Sequence, residues 1–319
     1  MATIYKRVAS LMGQWWVRAI FTAALIGLIV AWVGPRRILG SLLSSDPSLV
    51  ALCLVFTPAV IGLKTLRWQL LVGRRADFSY FAALRSYLAG LVLATVTPVA
   101  AGEVGRGLFV QRGNRAELTG KVVVDKLTDL ASLTGFAGCG LLLSGNPPAR
   151  TVGLILLIGV VLAAATALLA RKVAQGQGDG NPGWRRWPWL ERFRISGVLD
   201  GMATIRPAQL GVNVCLSILG FVVFYSQAFV MLRAFWPTAS WEVVPYFPII
   251  TLSTILPIGI GGVGVREWTA VLLLRQFAIP EAVAFNTFFS QFVVVQVLPS
   301  LVGAYVIATF RPMPTENAA

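Results

Sequence analysis

The sequence contains no histidine, only three cysteines and few charged residues. Charged residues make up 13% of the 319 positions, whereas soluble domains carry about 25%. Apolar residues make up 56%, in runs too continuous for a membrane β-barrel, where they would alternate with polar residues. This composition excludes a soluble enzyme, and the lack of histidine excludes histidine-based catalysis and histidine metal sites. The sequence therefore predicts an all-α polytopic membrane protein without a metal site.

The three cysteines, Cys53, Cys139 and Cys215, lie in separate apolar runs and form no pairing motif. We therefore expect all three to be buried, as small apolar side chains usually are.

Acidic residues are scarce beside basic ones, with 13 Asp and Glu against 27 Lys and Arg. In a soluble protein this balance would suggest nucleic-acid binding. In a membrane protein, basic loops orient the chain and contact anionic lipid headgroups. We therefore expect anionic lipid at the cytoplasmic basic loops and no nucleic-acid partner.

Six apolar runs are candidates for membrane spans, which need roughly 20 apolar residues each. The run at 130–143 is short, but apolar residues extend it toward the N-terminus past Asp125 and Asp129. The first run resembles a signal peptide, yet no A-x-A-like cleavage site follows it, so we expect a permanent span. The runs cover 18–33, 47–63, 130–143, 151–170, 208–232 and 282–310.

Two further apolar runs, at 86–102 and 243–265, are interrupted by proline and glycine. Interrupted segments at corresponding positions in two halves are the best sequence indication of a transporter-like binding site. A chance match between two Gly- and Pro-rich segments is the alternative. Five residues recur at a spacing of 159, half the chain length: Thr95, Pro98, Gly102, Val104 and Gly105 recur as Thr254, Pro257, Gly261, Val263 and Gly264.

The basic residues predict how the chain crosses the membrane. If each broken run enters and leaves on one side, nineteen of the 27 Lys and Arg face the cytoplasm and six face outward; Arg106 and Lys126 lie at membrane depth. This distribution follows the positive-inside rule. It predicts about six full spans and two re-entrant hairpins, with both termini in the cytoplasm. The broken runs are long enough to cross, so eight spans are the alternative.

The same threading predicts two inverted repeats within a single membrane domain of 1–319. The first half covers about 1–150 and the second about 208–319. A basic connector at 171–207 joins them on the cytoplasmic side.

Ionisable side chains inside a membrane are costly, so each one is a candidate functional residue. We expect them to line a polar cavity that binds the substrate, in which arginines hold phosphate and acids balance charge or relay protons. The alternative is that Glu103–Arg106 and Lys126–Asp129 are ion pairs that only allow the helices to fold. The candidates are Glu103, Arg106, Asp125, Lys126, Asp129, Arg266 and Glu267.

The prolines and glycines of the broken runs are expected to form the backbone of this site. Short helices starting after Gly105 and Gly264 would direct free N–H groups at an anion, and glycine would allow its close approach. Close helix packing is the alternative role. These positions are Pro98, Gly102, Gly105, Pro257, Gly259, Gly261, Gly262 and Gly264.

Four stretches together resemble the lysylphosphatidylglycerol synthase transmembrane, or flippase-like, domain family. They lie at 66–68, 97–106, 123–129 and 257–267. In the family, arginine usually follows the aspartate of the third stretch; Lys126 takes its place here, which weakens any bidentate contact. The resemblance implies an integral protein of the bacterial cytoplasmic (inner) membrane that is linked to lipid translocation. Without a soluble catalytic domain in this sequence, we expect a stand-alone member.

We therefore expect a lipid flippase-like transporter that is no enzyme and uses no cofactor. Its substrate would be a phosphate-containing lipid: a phospholipid, an aminoacyl-lipid, or a polyprenyl-lipid or glycolipid. A lipid-biosynthesis enzyme is a candidate partner. Two alternatives are a membrane subunit or enzyme of a polyprenyl-lipid or glycolipid pathway, and a small-solute secondary transporter.

Overall fold

The computed structural model describes residues 15–73, 78–96, 98–110, 114–144, 147–176, 201–256 and 261–309. Within these ranges the chain is helical and forms no strand, which confirms the predicted all-α class. Several predictions fall outside the described residues: both cytoplasmic termini, the middle of the connector, and the site residues Pro257 and Gly259.

Eleven α-helices within the described ranges are numbered here in chain order, and shorter 3₁₀ and π segments join some of them. They are α1 (Trp15–Val33), α2 (Pro35–Leu43), α3 (Pro47–Val72), α4 (Tyr80–Val96), α5 (Arg115–Leu143), α6 (Pro147–Gly176), α7 (Pro207–Phe235), α8 (Phe247–Leu252), α9 (Val265–Leu274), α10 (Glu281–Phe292) and α11 (Leu298–Thr309).

Four of the described helices are long and apolar enough to cross a membrane: α3, α6, α7, and α10 with α11 as one continuous helix. The bent pair of α1 and α2 adds a fifth if both belong to one span. The sequence predicted six. The remaining run, 130–143, forms the second half of α5, whose first half carries six charged residues.

The break between α1 and α2 was not predicted. The two helices are bent by 84° at Gly34. Pro35 begins α2, and because proline has no N–H, the hydrogen-bond ladder of α1 cannot continue through it.

Helix α3 begins at a capped end and runs further than predicted. Asp46 accepts hydrogen bonds from the hydroxyl of Ser48 at 2.6 Å and from its backbone N–H at 2.8 Å. These bonds lower the pKa of the Asp46 carboxyl. The helix ends at Val72 rather than at Leu63, so Arg67 is buried in it instead of lying in a cytoplasmic loop.

The first broken run folds into a hairpin. Helix α4 forms the first arm of this hairpin, and a twelve-residue 3₁₀ helix, Pro98–Phe109, forms the second. Phe78 before the hairpin and Val110 after it pack in one buried cluster with Trp68. The hydroxyl of Ser86 also donates to the carbonyl of Arg106 at 2.8 Å. The chain therefore returns to the place from which it left.

The second broken run also returns on itself, through a glycine turn. The ring of Tyr246, which precedes the glycine turn, lies 5.1 Å from the ring of Phe277, which follows α9. Gly262 and Gly264 have φ angles of 75° and 90°, a backbone region in which only glycine is unstrained. A Cβ on Gly262 would also meet the Cβ of Thr254 at 2.6 Å.

A helix starts directly after Gly264, as predicted. No helix starts after Gly105, because this glycine lies inside the 3₁₀ helix together with Pro98 and Gly102. The prediction of matching helix starts is therefore wrong at the first position. The two broken runs share their residue spacing but differ in local conformation.

The described chain forms two compact units. One contains the described parts of 1–61, 88–103 and 222–309, and the other those of 62–87 and 104–221. The predicted division at the connector stays a prediction.

The cysteines were predicted to be buried, and this is correct only for Cys53. Cys139 on α5 and Cys215 on α7 are exposed. Lipid tails are as apolar as a protein interior, so a small apolar side chain can face them without cost.

Helices α4 and α11 pack closely through small and polar residues. A Cβ on Gly303 would clash with the carbonyl oxygen of Leu88. Thr95 lies 3.1 Å from the hydroxyl of Ser300 and accepts a hydrogen bond from Gln296 at 2.8 Å. Small residues that bring two backbones together, with hydrogen bonds between the helices, are typical of membrane-helix packing.

We predict that Gly303→Ala destabilises the protein by about 1–3 kcal/mol, because the added methyl forces the two helices apart. Gly159→Ala is the matched control, since a Cβ there meets nothing within 4 Å. Thermal unfolding of both variants in detergent, followed by tryptophan fluorescence, measures the difference. Equal melting temperatures would contradict the close packing.

Candidate functional site

Four ionisable side chains form a buried charge cluster: Arg67, Arg106, Asp125 and Asp129. They come from α3, from the 3₁₀ helix of the first hairpin and from α5. Their side chains are 3%, 1%, 5% and 18% exposed, respectively. Two positive and two negative charges make the cluster neutral as a whole.

Asp125 lies at the centre of this cluster, and each of its oxygens contacts one arginine. Oδ1 lies 2.7 Å from Nη2 of Arg67, and Oδ2 lies 2.7 Å from Nη2 of Arg106. Charge-assisted hydrogen bonds of this length are strong. They offset the large cost of removing ions from water, which is why a single missing partner is so damaging.

Asp129 lies one helical turn further along α5 and completes the network. It accepts hydrogen bonds from Nη1 of Arg67 and, at 2.9 Å, from the hydroxyl of Ser217. Asn213 accepts from Arg67 at 3.2 Å and donates to Asp125 at 3.4 Å. Helix α7 thus contributes two neutral side chains, one turn apart, that bind both acids.

Arg106 is held by its backbone as well as by its side chain. Its guanidinium lies over the ring of Trp68, with 4.2 Å between Cζ and the ring centre, a favourable cation–π geometry. The indole N–H of Trp68 donates to the hydroxyl of Ser86 at 3.1 Å, and this hydroxyl donates to the Arg106 carbonyl. The arginine is therefore fixed before any ligand binds.

Some hydrogen-bond donors of the cluster have no acceptor. The Nε atoms of Arg67 and Arg106 are buried and have no hydrogen-bond partner in the described part of the chain. A guanidinium carries five N–H donors, and buried donors without an acceptor are rare in native proteins. The cluster is thus balanced in charge and keeps two buried N–H donors without an acceptor in the described part of the chain.

Arg266 and Glu267 form a separate pair in the other compact unit. Nη2 of Arg266 lies 2.6 Å from Oε1 of Glu267, and its guanidinium lies 5.0 Å from the ring centre of Phe292. The other carboxylate oxygen accepts from the N–H of Gly264 at 2.6 Å. The start of α9, which was expected to bind an anion, is therefore already bonded to a carboxylate of its own.

The structure brings three of the seven predicted site residues into the cluster: Arg106, Asp125 and Asp129. Glu103 is buried in the unit that contains Arg266 and Glu267, and Lys126 is half-buried on α5.

From helical spacing, the alternative interpretation paired Glu103 with Arg106 and Lys126 with Asp129. In the structure Arg106 pairs with Asp125 and Asp129 pairs with Arg67, from distant parts of the chain, and the charge of Lys126 also acts on Asp129. Sequence reasoning missed several residues of the network. The signal for Arg67 was an arginine inside an apolar run that continues to Val72. The missed residues are Arg67, Trp68, Ser86, Asn213 and Ser217.

Among the described residues, no group of three or more Asp, Glu or Cys side chains could hold a metal ion. The arrangement of the cluster suits the binding of a phosphate or another oxyanion, since its unused groups are donors.

The comparisons with known proteins agree with the four sequence stretches. The family model described as the lysylphosphatidylglycerol synthase TM region matches residues 15–303. A UPF0104 membrane protein of Methanothermobacter thermautotrophicus is 25% identical over 280 residues, which cover 82% of this chain and 83% of the relative. These matches confirm the resemblance. Together with the apolar helices, they show an integral membrane protein.

We predict that Asp125→Asn costs about 3–5 kcal/mol of stability, because it leaves two buried arginines with too little negative charge. Glu242→Gln makes the same chemical change at an exposed acid and is expected to be neutral. The yield of folded protein and the thermal unfolding in detergent measure both variants. An equally small loss in both would show that the cluster contributes little to folding.

Proposed function

Since the chain belongs to the family of the lysylphosphatidylglycerol synthase transmembrane region, we propose that it moves a phosphate-containing lipid between the leaflets of the bacterial inner membrane. The observation that carries this proposal is the buried charge cluster. Ionisable residues inside membrane helices are rare and usually functional. A lipid headgroup can cross the apolar layer only where the protein offers it polar groups.

The cluster has the chemistry that a phosphate headgroup requires. Guanidinium groups match phosphate oxygens in a bidentate manner, and the Nε donors of Arg67 and Arg106 have no acceptor in the described chain. In the proposed mechanism, the headgroup and the two carboxylates exchange as partners of these arginines. The acids keep the cluster neutral when no lipid is present, so the two buried arginines do not leave uncompensated charge at this site.

Contacts at the helix ends support the re-entrant threading of the first hairpin. Nζ of Lys121, near the start of α5, donates to the carbonyl of Val72 at the end of α3 at 3.1 Å. Gln209, at the start of α7, donates to the carbonyl of Leu70 at 3.1 Å. A single crossing between Val72 and Lys121 would put them on opposite faces, so these contacts support a hairpin that enters and returns on one face. By the positive-inside rule this face is cytoplasmic.

The second hairpin fits the same scheme, because Tyr246 and Phe277 at its two ends are in contact. If α7 crosses the membrane once between the two hairpins, they open on opposite faces. The proposal therefore includes inverted repeats and cytoplasmic termini. It includes no catalytic step and no cofactor, and a lipid-biosynthesis enzyme is a candidate partner.

A lipid-transfer assay tests this function. The protein is reconstituted into vesicles with traces of fluorescent lipid analogues, and dithionite bleaches the label in the outer leaflet. We expect folded protein to speed the arrival of a phosphate-containing analogue at the outer leaflet. Phosphatidylglycerol, its aminoacylated form and a polyprenyl phosphate are compared with a lipid that lacks phosphate.

The double variant Arg106→Gln/Asp125→Asn tests the role of the cluster. It removes one charge of each sign and keeps a hydrogen-bonding pair, so it spares folding more than either single change. We expect transfer to slow at least about tenfold, equivalent to about 1.4 kcal/mol in the barrier, and Glu242→Gln to keep the wild-type rate. Unchanged transfer in a folded double variant would reduce the cluster to a structural role.

Failure of the folded wild type to move any of these lipids would contradict the proposed function. Chemical turnover of a polyprenyl-lipid or glycolipid would then favour the enzyme alternative. Uptake of a soluble compound into sealed vesicles would favour the small-solute transporter.

A further inference from the structure

A cavity of about 680 Å³ lies between α2 and the start of α10. It lies within one compact unit and contains none of the predicted site residues. Its lining includes Arg37 and Ser41 from α2, Arg275 from the 3₁₀ segment after α9, and the first turn of α10. We propose that this cavity binds the phosphate group of an anionic membrane lipid.

The position of α2 places the cavity at the depth of lipid headgroups. Helix α2 is bent by 84° from α1, so it lies along the membrane surface if α1 crosses it. The helix has no buried residue, and Leu43 is 77% exposed. Short amphipathic helices of this kind lie in the membrane interface. One side carries Arg36, Arg37, Gly40 and Ser41, and the other Ile38, Leu39, Leu42 and Leu43.

Two arginines from different segments line the cavity without an acidic partner. Neither Arg37 nor Arg275 forms an ion pair within the described part of the chain. Arg67, Arg106 and Arg266, by contrast, are all bonded to carboxylates. Two unpaired guanidinium groups at one cavity attract an anion and suit the geometry of phosphate oxygens.

The start of α10 adds further donors. Its first intrahelical hydrogen bond is donated by Ala284 to Pro280, so the N–H groups of 281–283 have no partner within the helix. Pro280 offers no side-chain cap. The hydroxyl oxygen of Ser41 is buried and also has no partner in the described chain. A helix N-terminus of this kind, beside cationic side chains, favours a phosphate.

The remaining lining points to a lipid rather than to free phosphate. Val33, Ile279 and Val283 form an apolar wall against which a glycerol backbone and the first acyl carbons can pack. Glu281 lines the same cavity and reduces the charge of the two arginines to a net single positive charge. That charge balances a phosphodiester better than a dianionic phosphate ion.

The cavity is held in shape by a buried amide. Nδ2 of Asn286, one turn further along α10, donates to the carbonyl of Ile38 at 2.8 Å. This bond fixes α2 against α10 independently of any bound lipid.

The test measures lipid binding to the full chain by native mass spectrometry. Phosphatidylglycerol is titrated into protein held in zwitterionic detergent micelles, and the bound fraction is compared among variants. We expect Arg37→Gln and Arg275→Gln each to weaken binding about tenfold, as loss of one charge-assisted contact would. Arg36→Gln is the matched control, because it removes the same charge from the neighbouring residue outside the cavity. It should keep nearly wild-type affinity.

An equal loss in Arg36→Gln, or no loss in the two cavity variants, would overturn the proposed site. Inorganic phosphate is tested as a second ligand. Arg37-dependent binding of phosphate without binding of phosphatidylglycerol would overturn the lipid assignment. The readout is binding, so a chain that moves no lipid can still bind it here. If the chain moves lipid but its binding of phosphatidylglycerol does not depend on Arg37, this site alone is overturned.

Discussion

The carboxylate of Asp125, bonded to one arginine through each oxygen, is the interaction on which the surrounding structure depends. Without it, two buried guanidinium groups would share only the carboxylate of Asp129, and a buried charge with too little compensation is strongly destabilising. This single requirement joins α3, the first hairpin and α5 at one point. It also explains why α5 carries charges in its first half and why α3 extends past Lys64. Asn213 and Ser217 join α7 to the same point through neutral hydrogen bonds.

The broken helices follow from a second constraint, the need to satisfy backbone polar groups away from water. Irregular backbone at membrane depth is stable only where protein covers it or where it lines a polar cavity. The first hairpin meets this need with a 3₁₀ helix whose Arg106 carbonyl accepts from Ser86. The second meets it with a glycine turn whose last N–H is bonded to Glu267. The two solutions differ, although the residue spacing is shared.

The sequence was enough to predict the helical class, most apolar runs and the helix start after Gly264. These features depend on the length of an apolar run or on the position of a glycine, both of which determine local structure. The ion pairs could not be predicted in this way. Arg106 and Asp125 meet only because the hairpin folds back onto α5, and sequence spacing favours nearer partners. Arg67 was placed in a loop because a basic residue after an apolar run normally marks its end. The exposure of Cys139 escaped prediction because an apolar residue packs equally well against protein or lipid.

The neutrality of the charge cluster has an electrical consequence. Moving one elementary charge through the full membrane potential involves about 2.3 kcal/mol per 100 mV. Two arginines and two aspartates that shift together carry no net charge, so the membrane potential does no work on the empty cluster. If a lipid headgroup passes through it, the only charge that crosses the field is the charge of that headgroup. The voltage dependence of lipid movement would then report the valence of the transported molecule directly.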